Sequence, residues 1–107
     1  MAIKQLEKEI QLAICDYLAY KRYFFWRQNT GAIMNHKTGN FKAMPKHSLN
    51  GVPDIILIQE GKFIGLEVKR PKGIQSDSQK AFEKLCKDHG AEYYIVTSID
   101  DVIKVLK

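Results

Sequence analysis

From Ile3 to about Lys21 apolar side chains recur at helical spacing: Ile3, Leu6, Ile10, Ala13, Ile14, Tyr17 and Leu18. At 100° per residue they share one arc and predict an amphipathic helix. Glu7 falls inside that arc, between Ile14 and Leu18, whereas Glu9 and Asp16 fall outside it. A carboxylate on a core-facing stripe is costly unless it is paired or reaches water at the stripe's edge. Tyr23 to Arg27 is aromatic and suits a strand. A long stretch follows, Asn29 to Pro53, punctuated by Gly31, Gly39, Pro45 and Gly51. Within it, Ala32-Ile33-Met34 and Phe41-Lys42-Ala43 can pair across the turn Lys37-Thr38-Gly39-Asn40 as a hairpin arm. Loops of this length in small domains are usually functional or mobile.

Asp54 to Ile58 and Lys62 to Lys69 read as two strands, and the tight turn at Glu60-Gly61 makes them antiparallel neighbours. Ser76-Asp77-Ser78-Gln79 has the form of a capping box and opens a helix through about His89, closed by Gly90. Ala91 to Thr97 is another apolar strand, and Ile99 to Leu106 a closing helix. A strand, a helix and a strand in succession imply a crossover and a parallel pair. The expected class is therefore α/β: a small mixed β-sheet flanked by helices, with a hairpin arm.

Composition narrows the class of protein. The 107 residues suffice for a single domain, 1–107, with 45% hydrophobic and 27% charged residues. No apolar run is long enough for a membrane span. The sequence MAIKQLEKEIQ lacks the hydrophobic block of a signal peptide, so a cytoplasmic location is expected. Two cysteines, Cys15 and Cys86, make neither a disulfide framework nor a zinc site and are expected to be reduced core residues. His36, His47 and His89 show no metal-ligand spacing.

Charge becomes informative when the chain is split. Residues 1–48 carry eight Lys and Arg against three Asp and Glu, whereas residues 49–107 carry nine against nine. The whole net charge of +5 therefore sits in the first half. A polyanion is the natural partner of such a surface, since Lys and Arg displace counterions from phosphates. The plain alternative is a soluble protein that happens to be basic.

Strand periodicity puts Phe63, Gly65, Glu67 and Lys69 on one face, with Ile64, Leu66 and Val68 on the other. In a hairpin centred near Gly61, Asp54 lies across from Glu67 or Val68. Two carboxylates and an ammonium thus converge at one end of the hairpin. Two carboxylates, a backbone carbonyl and waters suit a hard divalent cation such as Mg²⁺. Such an ion polarises a phosphoryl oxygen and acidifies water, and a neighbouring lysine orients that water or offsets developing charge. Glu-x-Lys by itself is a common surface pattern worth little. Its placement across a hairpin from Pro53-Asp54 is what gives it weight.

Pro53-Asp54, twelve residues, then Glu67-Val68-Lys69 is similar to the PD-(D/E)XK nuclease motif. The resemblance extends over nearly the whole chain, to the VRR-NUC (virus-type replication-repair nuclease) domains. Their helical E-x-x-I-Q is matched by Glu7-Lys8-Glu9-Ile10-Gln11. Their arginine and N-T-G are matched by Arg27 and Asn29-Thr30-Gly31, and the glutamine opening the next helix by Gln79. The resemblance implies a restriction-endonuclease-like fold and a Mg²⁺- or Mn²⁺-dependent endonuclease that hydrolyses phosphodiester bonds in DNA. Branched DNA such as Holliday junctions is then the favoured substrate, and no membrane or small-molecule cofactor is involved. It further implies Asp54, Glu67 and the Val68 carbonyl as metal ligands and Lys69 as the group that positions water. Glu7 would approach from the first helix, and Gln79 would act either at the site or only as a cap. Arg27, Asn29, Lys37, Lys42 and Lys46 would contact phosphates, with His36 and His47 in loops near the DNA. The rival functions are a nuclease for ordinary duplex or flap DNA and a non-catalytic DNA-binding module. Resolving a four-way junction takes two symmetric cuts, so a homodimer is expected. Tyr20, Tyr23, Phe24 and Phe25 are candidates for its interface or for the core.

Overall fold

Helix α1 (Ile3–Tyr20) leads through a turn into strand β1 (Phe24–Arg27). The computed structural model describes residues 3–28, 33–34, 41–42 and 46–106. In the arm, β2 (Ile33–Met34) and β3 (Phe41–Lys42) pair antiparallel, Ile33 with Lys42 and Met34 with Phe41. Its expected turn lies outside the described residues. Strands β4 (Ile55–Gln59) and β5 (Lys62–Val68) form the central hairpin. Its two turn residues, Glu60 and Gly61, both have positive φ, 53° and 79°. That conformation matches the twist of the flanking strands in a two-residue connection. Helix α2 (Asp77–Asp88), strand β6 (Glu92–Val96) and helix α3 (Ile99–Val105) complete the chain.

The main sheet has the order β1-β4-β5-β6, antiparallel except for the parallel pair β5 and β6, which α2 connects. It is a mixed four-stranded sheet with three helices, an α/β fold. No described helix is long and apolar enough to cross a membrane.

One sheet face carries the main core. Ile14 and Leu18 of α1 meet Ile55, Leu57, Ile64, Leu66, Val68 and Val96 of the sheet and Val102 and Leu106 at the C-terminal end. The side chain of Ile3 lies outside the described residues; from Leu6 to Leu18 the helical stripe is as expected with one correction. Ala13 is exposed, and Cys15 takes a buried place beside Ile14. On the opposite face lie Pro53, Ile56, Gly65 and Tyr93, all buried, with Phe82 of α2 tilted against Tyr93 at a ring separation of 6.4 Å. Cys86 is buried too; both thiols are free, and burial raises both above the ordinary cysteine range. They have the inert character of core cysteines.

Of the four aromatic residues from the end of α1 onward, Tyr23 and Phe25 pack against the core, while Tyr20 and Phe24 are exposed. Helix α2 opens with both halves of the capping box: the Ser76 hydroxyl accepts from Gln79 N, and Gln79 Oε1 accepts from Ser76 N. Gly90, with φ of 84°, follows its C-cap, His89, and supplies the left-handed residue that helix endings favour.

Candidate active site

The hairpin register decides which groups meet. Ile55 pairs with Leu66 and Ile56 with Gly65, so Asp54 and Glu67 fall opposite each other one step beyond. Period-two alternation turns both away from the core and towards the α2 side of the sheet. Asp54 Oδ2 accepts a 2.9 Å hydrogen bond from Val68 N, fastening the end of β5. Pro53 is seated on Gly65, where an added Cβ would stand 2.5 Å from the proline Cγ. Gly51, with φ of 78°, lies against the first turn of α2, where a Cβ would stand 2.2 Å from Ser78 O. These two close approaches bring the chain before Asp54 and the start of α2 to the same corner.

Glu67 is 2% exposed and is the one buried charged residue among those described. Its Oε2 accepts from Gln79 Nε2 at 2.9 Å and faces Lys69 Nζ at 3.9 Å. Its Oε1 is buried with no hydrogen-bond partner among the described residues. Burial is the chief reason that the Glu67 carboxyl is pushed up to about 9. The charge of Asp54 adds to the rise, Lys69 opposes it, and Glu7 contributes a little more. Two ionised carboxylates can only accept, so they cannot bond to each other until one holds a proton. Leaving a buried charged acceptor unsatisfied costs more than the roughly 1–3 kcal/mol of a neutral group.

Gln79 makes two sets of contacts at once. Its Oε1 and backbone N complete the cap, and its Nε2 holds Glu67. Glu7 reaches the same region from α1: its Oε2 accepts from Arg70 N at 3.4 Å, across 63 residues of sequence. Lys69 is largely buried beside Glu67. The sequence reading missed the basic segment after Lys69. Arg70 is half-buried at the site, and Lys72, with φ of 66°, is exposed next to it. The run Lys69-Arg70-Pro71-Lys72 was the available signal, hidden within a half of the chain whose charges cancel.

The residues assigned to phosphate divide. Arg27 alternates to the α1 side of the sheet, where its Nε donates to Gln11 Oε1 at 2.9 Å, away from the face that carries Asp54 and Glu67. Lys46 is exposed at the end of the arm, as is His47. Asn29, Lys37 and His36 lie outside the described residues, as does the side chain of Lys42. Tyr93 lies under the site; burial raises its hydroxyl, which accepts from Gln75 Nε2 at 3.5 Å.

Among the described residues, no group of three or more His, Cys, Asp and Glu side chains is gathered closely enough to hold a metal ion. The assembled donors are two carboxylates, Asp54 and Glu67, and the backbone at Val68. These are hard oxygen donors, and one of them, Glu67 Oε1, is buried and unpartnered. That combination fits a hard divalent cation completed by water. Comparisons with protein-family models, curated proteins and solved structures find no match for this chain.

Proposed function

We propose that this chain is a metal-dependent deoxyribonuclease of the PD-(D/E)XK type, with the VRR-NUC domains as the group it most resembles. The observation that carries the reading is Glu67: a buried carboxylate with one oxygen anchored by the protein and the other left without a partner. Core positions rarely leave a polar oxygen unsatisfied unless it has work to do.

In this reading Asp54, Glu67 and the Val68 carbonyl hold Mg²⁺ or Mn²⁺. When bound, the cation would supply Lewis acidity, polarising a phosphoryl oxygen and acidifying an attacking water. Gln79 fixes the Glu67 carboxylate by one oxygen, so that the other keeps its direction. Lys69 places its ammonium beside that carboxylate, where it orients the water and offsets charge gathering on the phosphate. Glu7, tied to the backbone of Arg70, adds negative charge that favours cation binding over a vacant pair of acids. Arg70 and Lys72 beside the site, with Lys46, would contact phosphates; Asn29, Lys37 and Lys42 are proposed to join them from the sequence alone, and Arg27, which faces α1, is left out.

The substrate proposed is branched DNA such as a four-way junction, cut by a homodimer that presents one Asp54–Glu67–Lys69 site to each of two strands. Cleavage of a polynucleotide with and without Mg²⁺ tests the activity. The expected result is metal-dependent strand scission by the native chain and none by Glu67→Gln. Equal binding of DNA with no scission in either metal would leave the rival non-catalytic module as the better account.

A further inference from the structure

Among the described residues strand β1 is an edge of the sheet, and its two faces differ. Phe25 turns into the core, while Phe24 and Trp26 turn the other way, 66% and 37% exposed. Their rings lie 5.7 Å apart at 47°, and Ile58, paired with Phe24, is exposed beside them. The register carries this stripe straight to the site. Trp26 pairs with Ile56 and, two steps on, Gln28 N donates to Asp54 O at 2.8 Å. Phe24, Trp26, Gln28, Asp54 and Glu67 therefore share one face of the sheet. The Trp26 indole is also steadied along its edge, where Nε1 donates to Gln28 Oε1 at 3.0 Å.

We infer that Phe24 and Trp26 form a stacking platform for unpaired bases of a DNA strand whose backbone runs into the Asp54–Glu67 site. This deepens the nuclease reading and rests on it for the choice of ligand. Every base has a flat π-face, but a duplex hides it within the stack, so exposed rings on a strand select unpaired or splayed nucleotides. With their centroids 5.7 Å apart, the two rings can each meet a separate base of one strand. Charge is complementary: Lys21 and Arg22 are exposed at the turn into β1, and the first 48 residues hold the entire net positive charge. The platform thus favours substrates with a single-stranded portion at the cut, such as flaps and opened junctions, over intact duplex.

Trp26 is the only tryptophan in the chain, so its fluorescence reports on this surface alone. The full chain is titrated in EDTA with an oligothymidylate of about 15 nucleotides and with a blunt duplex of equal length. The expected result is quenching by the single strand at concentrations where the duplex produces little. Phe24→Ala should weaken single-strand affinity roughly tenfold, a typical loss for one base–aromatic stack. Phe24→Leu keeps the apolar bulk and removes the π-face, so it should weaken binding nearly as much. Absence of quenching, equal quenching by duplex, or native affinity in Phe24→Leu would overturn the platform. Native affinity in both variants, with Phe24→Ala turning a sedimenting dimer into a monomer, would assign the surface to a second copy of this chain instead. Because the titration contains no metal, its failure leaves metal-dependent cleavage standing, and failure of cleavage leaves the titration interpretable.

Discussion

Two lysine–glutamate pairs on the same sheet teach different lessons. Lys62 and Glu92 meet at 3.1 Å on the surface of neighbouring strands, with the lysine half-exposed. Lys69 and Glu67, at the other end of β5, stand 3.9 Å apart with both side chains nearly closed off from water. The half-buried surface glutamate is held below the ordinary carboxylate range, first by the Tyr94 hydroxyl and then by Lys62. The buried one is driven up to about 9, because burial and Asp54 outweigh its lysine. A pair assembled for stability would resemble the first. In the second, a lone oxygen and a neighbouring carboxylate create a deficit of positive charge that the protein's own groups leave unfilled.

The largest expected contrast is in activity. Asp54→Asn and Glu67→Gln should each lower cleavage by roughly 100-fold or more, the scale seen when one polar group at a reacting centre is lost, and should weaken Mn²⁺ binding measured by calorimetry. Glu92→Gln, acting on the surface pair, should change neither. Native cleavage in Asp54→Asn would break the distinction between the two pairs.

The second contrast is in stability without metal. Glu67 has a folded-state pKa raised from 4.5 to about 9, so its contribution is complete below 4.5 and is lost as pH rises through 9. Denaturant unfolding in EDTA should show the native chain losing stability between pH 5 and 9, by on the order of a few kcal/mol. Glu67→Gln, whose amide can donate to Asp54, should abolish most of that slope. Glu92 is shifted the other way, so what it contributes is present above 4.5 and fades as pH falls below it. Its exposure keeps that contribution under about 1 kcal/mol. A native chain whose stability rose steadily from pH 5 to 9 would contradict the charge deficit.

A smaller effect tests the corner that holds the site. Ser76→Ala removes the hydroxyl that caps Gln79 N and should cost about 1 kcal/mol. Because Gln79 also holds Glu67, cleavage should fall with it, whereas Lys62→Ala at the far end of β5 should leave both readouts within about 0.5 kcal/mol of native. An Ser76→Ala chain with native cleavage would show that the cap and the site are independent.

Local patterns made much of this readable from sequence. Alternation in Lys62–Val68 and the tight turn at Glu60-Gly61 fixed Asp54 opposite Glu67, and the spacing of Ser76 and Gln79 gave the cap. Tyr23 and Phe25 against Phe24 follow the same period-two rule, so their division between core and surface is legible as well. The contact between Glu7 and Arg70 was not readable, since nothing local records how α1 lies along the end of β5. Nor were the packing of Pro53 on Gly65 and of Gly51 on α2, which depend on tertiary approach. Gln79's double role needed the structure too: a sequence offers a cap or a ligand as alternatives, and only the fold shows one amide serving Ser76 through its oxygen and Glu67 through its nitrogen. Arg27 faced α1 for the reason that Trp26 faced away from it, a consequence of alternation along β1 that its motif position did not convey.

The most direct measurement is cleavage of one branched DNA in Mg²⁺ by the native chain and by Lys69→Ala, with metal affinity followed in parallel. Metal-dependent cutting by the native chain, lost in Lys69→Ala while its affinity for the cation is retained, is the predicted result. Cutting by Lys69→Ala at the native rate, or no metal-dependent cutting by the native chain, would contradict it.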